Sequence, residues 1–194
     1  TYAKGASALR QLVAWVGEPE FLAGVTIYFG KHAWGNTELS DLLSELEVTS
    51  GRDLSNWTQE WLRTSGVNLM RPALTVDGAG NYESFAIIQE PPTSPEGIAP
   101  ILRSHRMAIG LYDLNDGVLT RRERIELDVV GARTEVPQLI GTRQPDLVLL
   151  NDDDLTFTKI RLDERSWATA VDHLGQINDS LARALVWGAA WDMT

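Results

Sequence analysis

Apolar residues recur at steps of three and four through the first third of the chain. Tyr2, Ala6, Leu9, Val13 and Val16 fall on one face of a helix that Thr1 would cap. Phe21, Leu22, Val25, Tyr28 and Phe29 make a second stripe, which Gly35-Asn36 interrupts. Asn36 or Thr37 stands where a third helix needs a cap, and Leu39, Leu42, Leu43 and Leu46 form its stripe up to Gly51. Asp53 would cap a fourth helix with Leu54, Trp57 and Trp61 inward. Residues 1–71 are therefore expected to be a helical unit whose stripes form one another's core.

The period then changes from 3.6 to 2. Leu74-Thr75-Val76 leads into the turn-rich Asp77-Gly78-Ala79-Gly80-Asn81, with a return strand over 82–90. Pro91-Pro92-Thr93-Ser94-Pro95 cannot lie inside a sheet, because proline has no backbone donor. A long strand follows with His105, Met107, Ile109 and Leu111 on one face, and Asn115-Asp116-Gly117 is the strongest hairpin signal. Ile125, Leu127 and Val129 alternate on its partner, and shorter strands are expected at 134–140, 146–150 and 156–162. Residues 72–163 thus predict an antiparallel β-sandwich. Helical spacing returns over 164–194, with Glu164 to Leu174 as one helix. Ile177, Leu181, Ala184 and Leu185 form the stripe of the next. The fold class is α+β.

Composition narrows the function. The 194 residues carry a net charge of −10, which opposes nucleic acid or an anionic membrane surface as partner. No cysteine occurs, so thiolate chemistry and Cys-based metal sites are excluded, and a cytoplasmic location is the expectation. No apolar run approaches the ~20 residues of a membrane span. The first residue is not Met, and the last lies inside an amphipathic pattern, which predicts a piece of a longer protein.

One segment has a more specific likeness. Tyr2-Ala3-Lys4-Gly5-Ala6-Ser7-Ala8-Leu9-Arg10-Gln11-Leu12, followed by Gly17-Glu18-Pro19-Glu20-Phe21, resembles the M1 zinc aminopeptidases, the aminopeptidase N family. Tyr28-Phe29, Asn36-Thr37, Asp41-Leu42, Ser50-Gly51, Asp53-Leu54, Trp61 and Ser65-Gly66 continue the pattern. Asn151-Asp152-Asp153-Asp154 and Leu181-Ala182-Arg183-Ala184-Leu185 also resemble bacterial members. The resemblance implies that residues 1–71 end a thermolysin-like catalytic domain. It implies further that 72–163 form the sandwich and 164–194 begin a helical domain. It also implies that Tyr2 is catalytic, donating a hydrogen bond to the oxyanion of the tetrahedral intermediate. The substrate implied for the parent is a peptide, and its cofactor is zinc.

The zinc ligands that such a parent needs are a helical His-Glu-x-x-His and a later Glu. Neither the motif nor the substrate-binding Gly-x-Met-x-Asn occurs here. His32, His105 and His173 lie far apart in sequence, each read as structural, so no cofactor or metal residue is expected in this chain. A calcium loop starting at Asp152 would need glycine at its sixth position, where Phe157 stands. Arg121-Arg122-Glu123-Arg124 reads as surface, its charges alternating between the two faces of a strand. Lys4 and Gly5 are assigned helix entry or packing. A non-enzymatic sandwich module or a non-catalytic M1 relative fits the same residues, and oligomeric state is left open.

Overall fold

In the computed structural model, which describes residues 2–193, contacts divide the chain into Thr1–Thr64 and Ser65–Thr194. Thr1, expected as a cap, lies outside the described residues, as do the side chains of Ala3 and Lys4.

The first unit contains α1 (Tyr2–Val16), α2 (Glu18–Lys31), α3 (Leu39–Ser50) and α4 (Ser55–Leu62). Leu12, Val16, Leu46, Leu54, Trp57 and Trp61 form its core. α2 and α3 approach closely at Gly24, where an added Cβ would lie 2.8 Å from Leu46 Cδ2 and 2.9 Å from Thr49 Oγ1. The Thr49 hydroxyl donates to the Glu20 carbonyl at 2.8 Å, tying the two helices at this crossing.

Three local expectations change. α1 buries Leu12 and Val16, while Leu9 and Ala6 are exposed. The cap of α3 is Glu38, whose backbone N–H donates to the Asp41 carboxylate at 2.8 Å. The Thr37 hydroxyl is instead engaged with the Tyr28 hydroxyl at 2.6 Å. Leu54 caps α4, and Asp53 sits one residue earlier, still accepting from the Ser55 N–H at 2.7 Å.

The second unit holds β1 (Leu69–Val76), β2 (Tyr82–Glu90), β3 (His105–Asn115), β4 (Val118–Val129), β5 (Arg133–Glu135), β6 (Leu147–Asp152) and β7 (Lys159–Ile160). α5 (Glu164–His173) and α6 (Ser180–Asp192) follow. One sheet runs β5-β2-β1-β7 and the other β4-β3-β6. The β1–β2 turn is shaped by the Asp77 carboxylate, which accepts from the N–H groups of Ala79 and Asn81 at 2.9 and 2.8 Å. Asp116 and Gly117 both have positive φ, 50° and 77°, matching the twist that a two-residue hairpin needs.

The strand expected over 134–140 stops at Glu135 and becomes a 3-10 turn at Pro137–Leu139, since Pro137 has no donor for a ladder. The strand expected over 156–162 shrinks to β7. It pairs parallel to β1, so the sheets are antiparallel-rich rather than wholly antiparallel.

α5 and α6 are capped by Asp163 and Asp179, whose carboxylates accept first-turn N–H groups. Ala170, Ala182, Val186 and Ala189 of these helices join a core shared with both sheets, including Met70, Phe85, Ile109 and Leu149. The stripe of α6 is therefore Ala182, Val186 and Ala189, with Leu185 half-buried. Leu181 and Ala184 lie on exposed positions. The chain is α+β.

Candidate functional site

Tyr2 is the first residue of α1, and its side chain is 96% exposed. The face it begins is the exposed one, so the phenol does not border the buried stripe as the spacing had suggested. Its hydroxyl is open to a ligand from outside this helix. Gly5, three residues on, has open space where a Cβ would be. Among the described residues, the structure brings no other chemical group to Tyr2.

The histidines stay apart. His32 closes α2, its ring 5.4 Å from that of Tyr28. His173 is the last residue of α5. His105 begins β3, fully buried, with Nδ1 2.8 Å from Thr156 Oγ1. Burial, reinforced by the nearby Arg103 guanidinium, pushes its pKa down to about 3, so the ring is neutral. Among the described residues, no three His, Asp or Glu side chains gather as metal ligands.

A polar cluster lies on the β4-β3-β6 sheet. Small residues Ala108 and Gly110 of β3 stand opposite Glu126 and Arg124 of β4, leaving room for long charged side chains to lie across the strands. Arg106 pairs with Glu126 and Asp128 at 2.8 and 3.0 Å. Arg124 pairs with Glu126 and Asp153 at 2.8 and 2.6 Å. Arg121 reaches Asp152 and Asp153, each at 2.8 Å. Asp152 is buried and also accepts from the Tyr112 hydroxyl at 2.8 Å. Burial, then Asp152, raises the Tyr112 pKa, which keeps that hydroxyl a donor.

Strict alternation would send Arg121 and Arg124 to opposite faces. A bulge opposite Leu111/Tyr112 leaves Arg122 as an extra residue, so Arg121 and Arg124 grip the same Asp153. Arg122 meets Asp113 instead. The cluster ties β6 to the hairpin. Its signal in the sequence was the Arg-rich run together with the Asp-rich run, but the bulge that joins them was not readable from spacing. Asp152 and Asp153 are occupied by arginines, in keeping with a structural turn.

The class of protein follows from the fold together with comparisons. Residues 1–61 match the Peptidase family M1 domain. Aminopeptidase N of Streptomyces lividans is 57% identical over 197 residues, covering 100% of this chain and 23% of that protein. Aminopeptidase 2 of Candida albicans is 40% identical over 83 residues, covering 43% of this chain and 8% of that protein. A crystal structure of Legionella pneumophila aminopeptidase A in complex with aspartic acid has the same fold. Its TM-score is 0.69 at 18% identity, with 94% of this chain and 20% of that chain covered. The chain is thus similar along its whole length to a portion of Aminopeptidase N, and the M1 domain match covers residues 1–61. The chain spans 23% of the length of the Streptomyces lividans protein.

Proposed function

We propose that this chain is part of a zinc-dependent aminopeptidase that hydrolyses N-terminal residues from peptides. The observation that carries the reading is the 57% identity to Aminopeptidase N over the whole chain. Tyr2, with its exposed hydroxyl at the start of α1, is the residue of this chain that acts on substrate. Its phenol donates a hydrogen bond to the oxyanion that develops when the scissile carbonyl is attacked. A donor aimed at developing charge stabilises the transition state more than the ground state, so it acts on turnover. Zinc, supplied by ligands elsewhere in the parent, would activate the attacking water. The 194 residues alone are expected to be inactive. The two sheets over one core are read as the sandwich that follows the catalytic helices, with boundaries near residues 71 and 163.

The test is Tyr2→Phe in the complete gene product, assayed on an aminoacyl anilide alongside metal analysis. The expected result is a kcat lower by roughly 10²–10³ with unchanged zinc content. Equal turnover would remove Tyr2 from the mechanism. A wild-type product with neither peptidase activity nor stoichiometric zinc would make the chain part of a non-catalytic relative.

A further inference from the structure

The second unit holds a pocket of about 370 Å³, a size in the range of small-molecule sites. Sheet pairing gathers its lining from distant parts of the sequence. Leu69 of β1 stands opposite Glu90 of β2 on one side and opposite Lys159 of β7 on the other. Arg161 follows β7 and joins the lining, held to β1 by its backbone N–H, which donates to the Met70 carbonyl at 2.8 Å. Asp192 reaches it from the end of α6. Val67, Leu69 and Pro91 give it an apolar wall.

The charges around this pocket do not cancel. Lys159 pairs with Asp192 at 3.1 Å, and Arg71 pairs with Glu90 at 2.6 Å. Arg161 is left over. Among the described residues, no hydrogen bond or ion pair engages its guanidinium. The two acids are only half used. Their pairs occupy Oε1 of Glu90 and Oδ1 of Asp192, and the second oxygen of each carries no hydrogen bond among the described residues. A plain anion would suit Arg161 but be opposed by both acids, and a plain cation meets the reverse. A ligand bearing both charges on a short stem satisfies both.

We propose that this pocket binds a free aliphatic α-amino acid as its zwitterion. The carboxylate pairs with Arg161, the ammonium takes the open oxygens of Glu90 and Asp192, and the side chain lies on the apolar wall. A peptidase that trims N-terminal residues releases such molecules, so the ligand is a product of the reaction. That source rests on the aminopeptidase reading, whereas the chemistry of the pocket does not.

The experiment is equilibrium dialysis of radiolabelled L-leucine against the complete gene product and its Arg161→Gln variant. The wild type is expected to bind one equivalent that the variant binds at least about tenfold more weakly. Isocaproate is leucine without its ammonium, and isoamylamine is leucine without its carboxylate. Each should displace that equivalent at least about tenfold less well than leucine does. Equal isotherms for wild type and variant overturn the proposal, and so does an absence of binding. Displacement by isocaproate as effective as by leucine also overturns it, because the site then takes a plain anion. Arg161 is exposed, so its substitution should leave the melting temperature unchanged. The analogue comparison needs only the wild-type protein and decides the matter if the variant misfolds. Peptidase turnover is measured on the same sample. Turnover without the Arg161-dependent equivalent rejects the pocket and leaves the aminopeptidase reading intact, and the equivalent without turnover does the opposite.

Discussion

A glycine permits a close approach in each unit, at Gly24 and at Gly110, and the two differ in what they press against. Gly24 lets α2 approach α3, and its nearest neighbours are the Leu46 and Thr49 side chains, with the Glu45 carbonyl oxygen next at 3.3 Å. Gly110 lies under the charge cluster, where an added Cβ would collide with the Asp152 carboxylate and stand 2.7 Å from the Tyr112 ring. The helical unit is held by crossings over a small core, with Phe29, Trp34 and Val48 exposed. The sheet unit couples its core to a polar network that has one workable geometry. Packing against apolar side chains tolerates adjustment. Packing against a buried, fully paired carboxylate does not.

That contrast predicts a ranking. Gly110→Ala should destabilise the second unit by roughly 3–5 kcal/mol, because it dislodges a buried carboxylate from Tyr112 and Arg121. Urea unfolding would read this, and a loss below about 1 kcal/mol would break the contrast.

Acid titration comes next. His105 is neutral in the fold with a pKa near 3, against an unperturbed value of 6.5. The unfolded chain therefore binds a proton that the folded chain refuses. This contribution is fully present above about pH 6.5 and is lost progressively as pH falls toward 3. Asp153 and Glu126, held low by their arginines against the opposing effect of burial, lose their contributions at still lower pH, in the same direction. Melting temperature should thus start to decline between pH 6.5 and 5, and His105→Phe should remove that early part. A flat profile down to pH 5 would count against it.

Gly24→Ala should cost about 1–3 kcal/mol in the helical unit, as Leu46 and Thr49 move aside. If it matched Gly110→Ala, the helix crossing would be as unforgiving as the buried carboxylate. The smallest effect belongs to Arg106→Gln. Its partners Glu126 and Asp128 are partly solvated, and about 0.2–1 kcal/mol is expected, diminishing in high salt.

Much of the local structure was legible in the residues. The change of period from 3.6 to 2 near Pro72 and the Asn115-Asp116-Gly117 hairpin depend on neighbours in sequence, and those neighbours are fixed. The stripes of α1 and α6 were harder. Both helices are apolar on more than one face, so spacing alone cannot say which face is covered. Leu9 and Leu181 were read as inward and are exposed. At the candidate site, Tyr2 was visible through the Tyr-Ala-Lys-Gly-Ala segment and its likeness to the M1 family. Spacing placed Tyr2 on a helix face and gave it no chemical role.

The sequence by itself determined the order of helices and strands, the hairpin turns, and which family the chain resembles. Caps, turn residues and hydrophobic period act within a few residues of themselves. Only the tertiary structure decided which helix faces are buried, that β7 joins β1 in parallel, and that the Arg121 and Arg124 side chains converge on Asp153. Each of those depends on a partner some 29 to 90 positions away, as in the hydrogen bonds from Arg124 to Asp153 and from Thr158 to Asn68. Such partners are selected by competition for space and charge in the folded chain, and no local pattern encodes that competition.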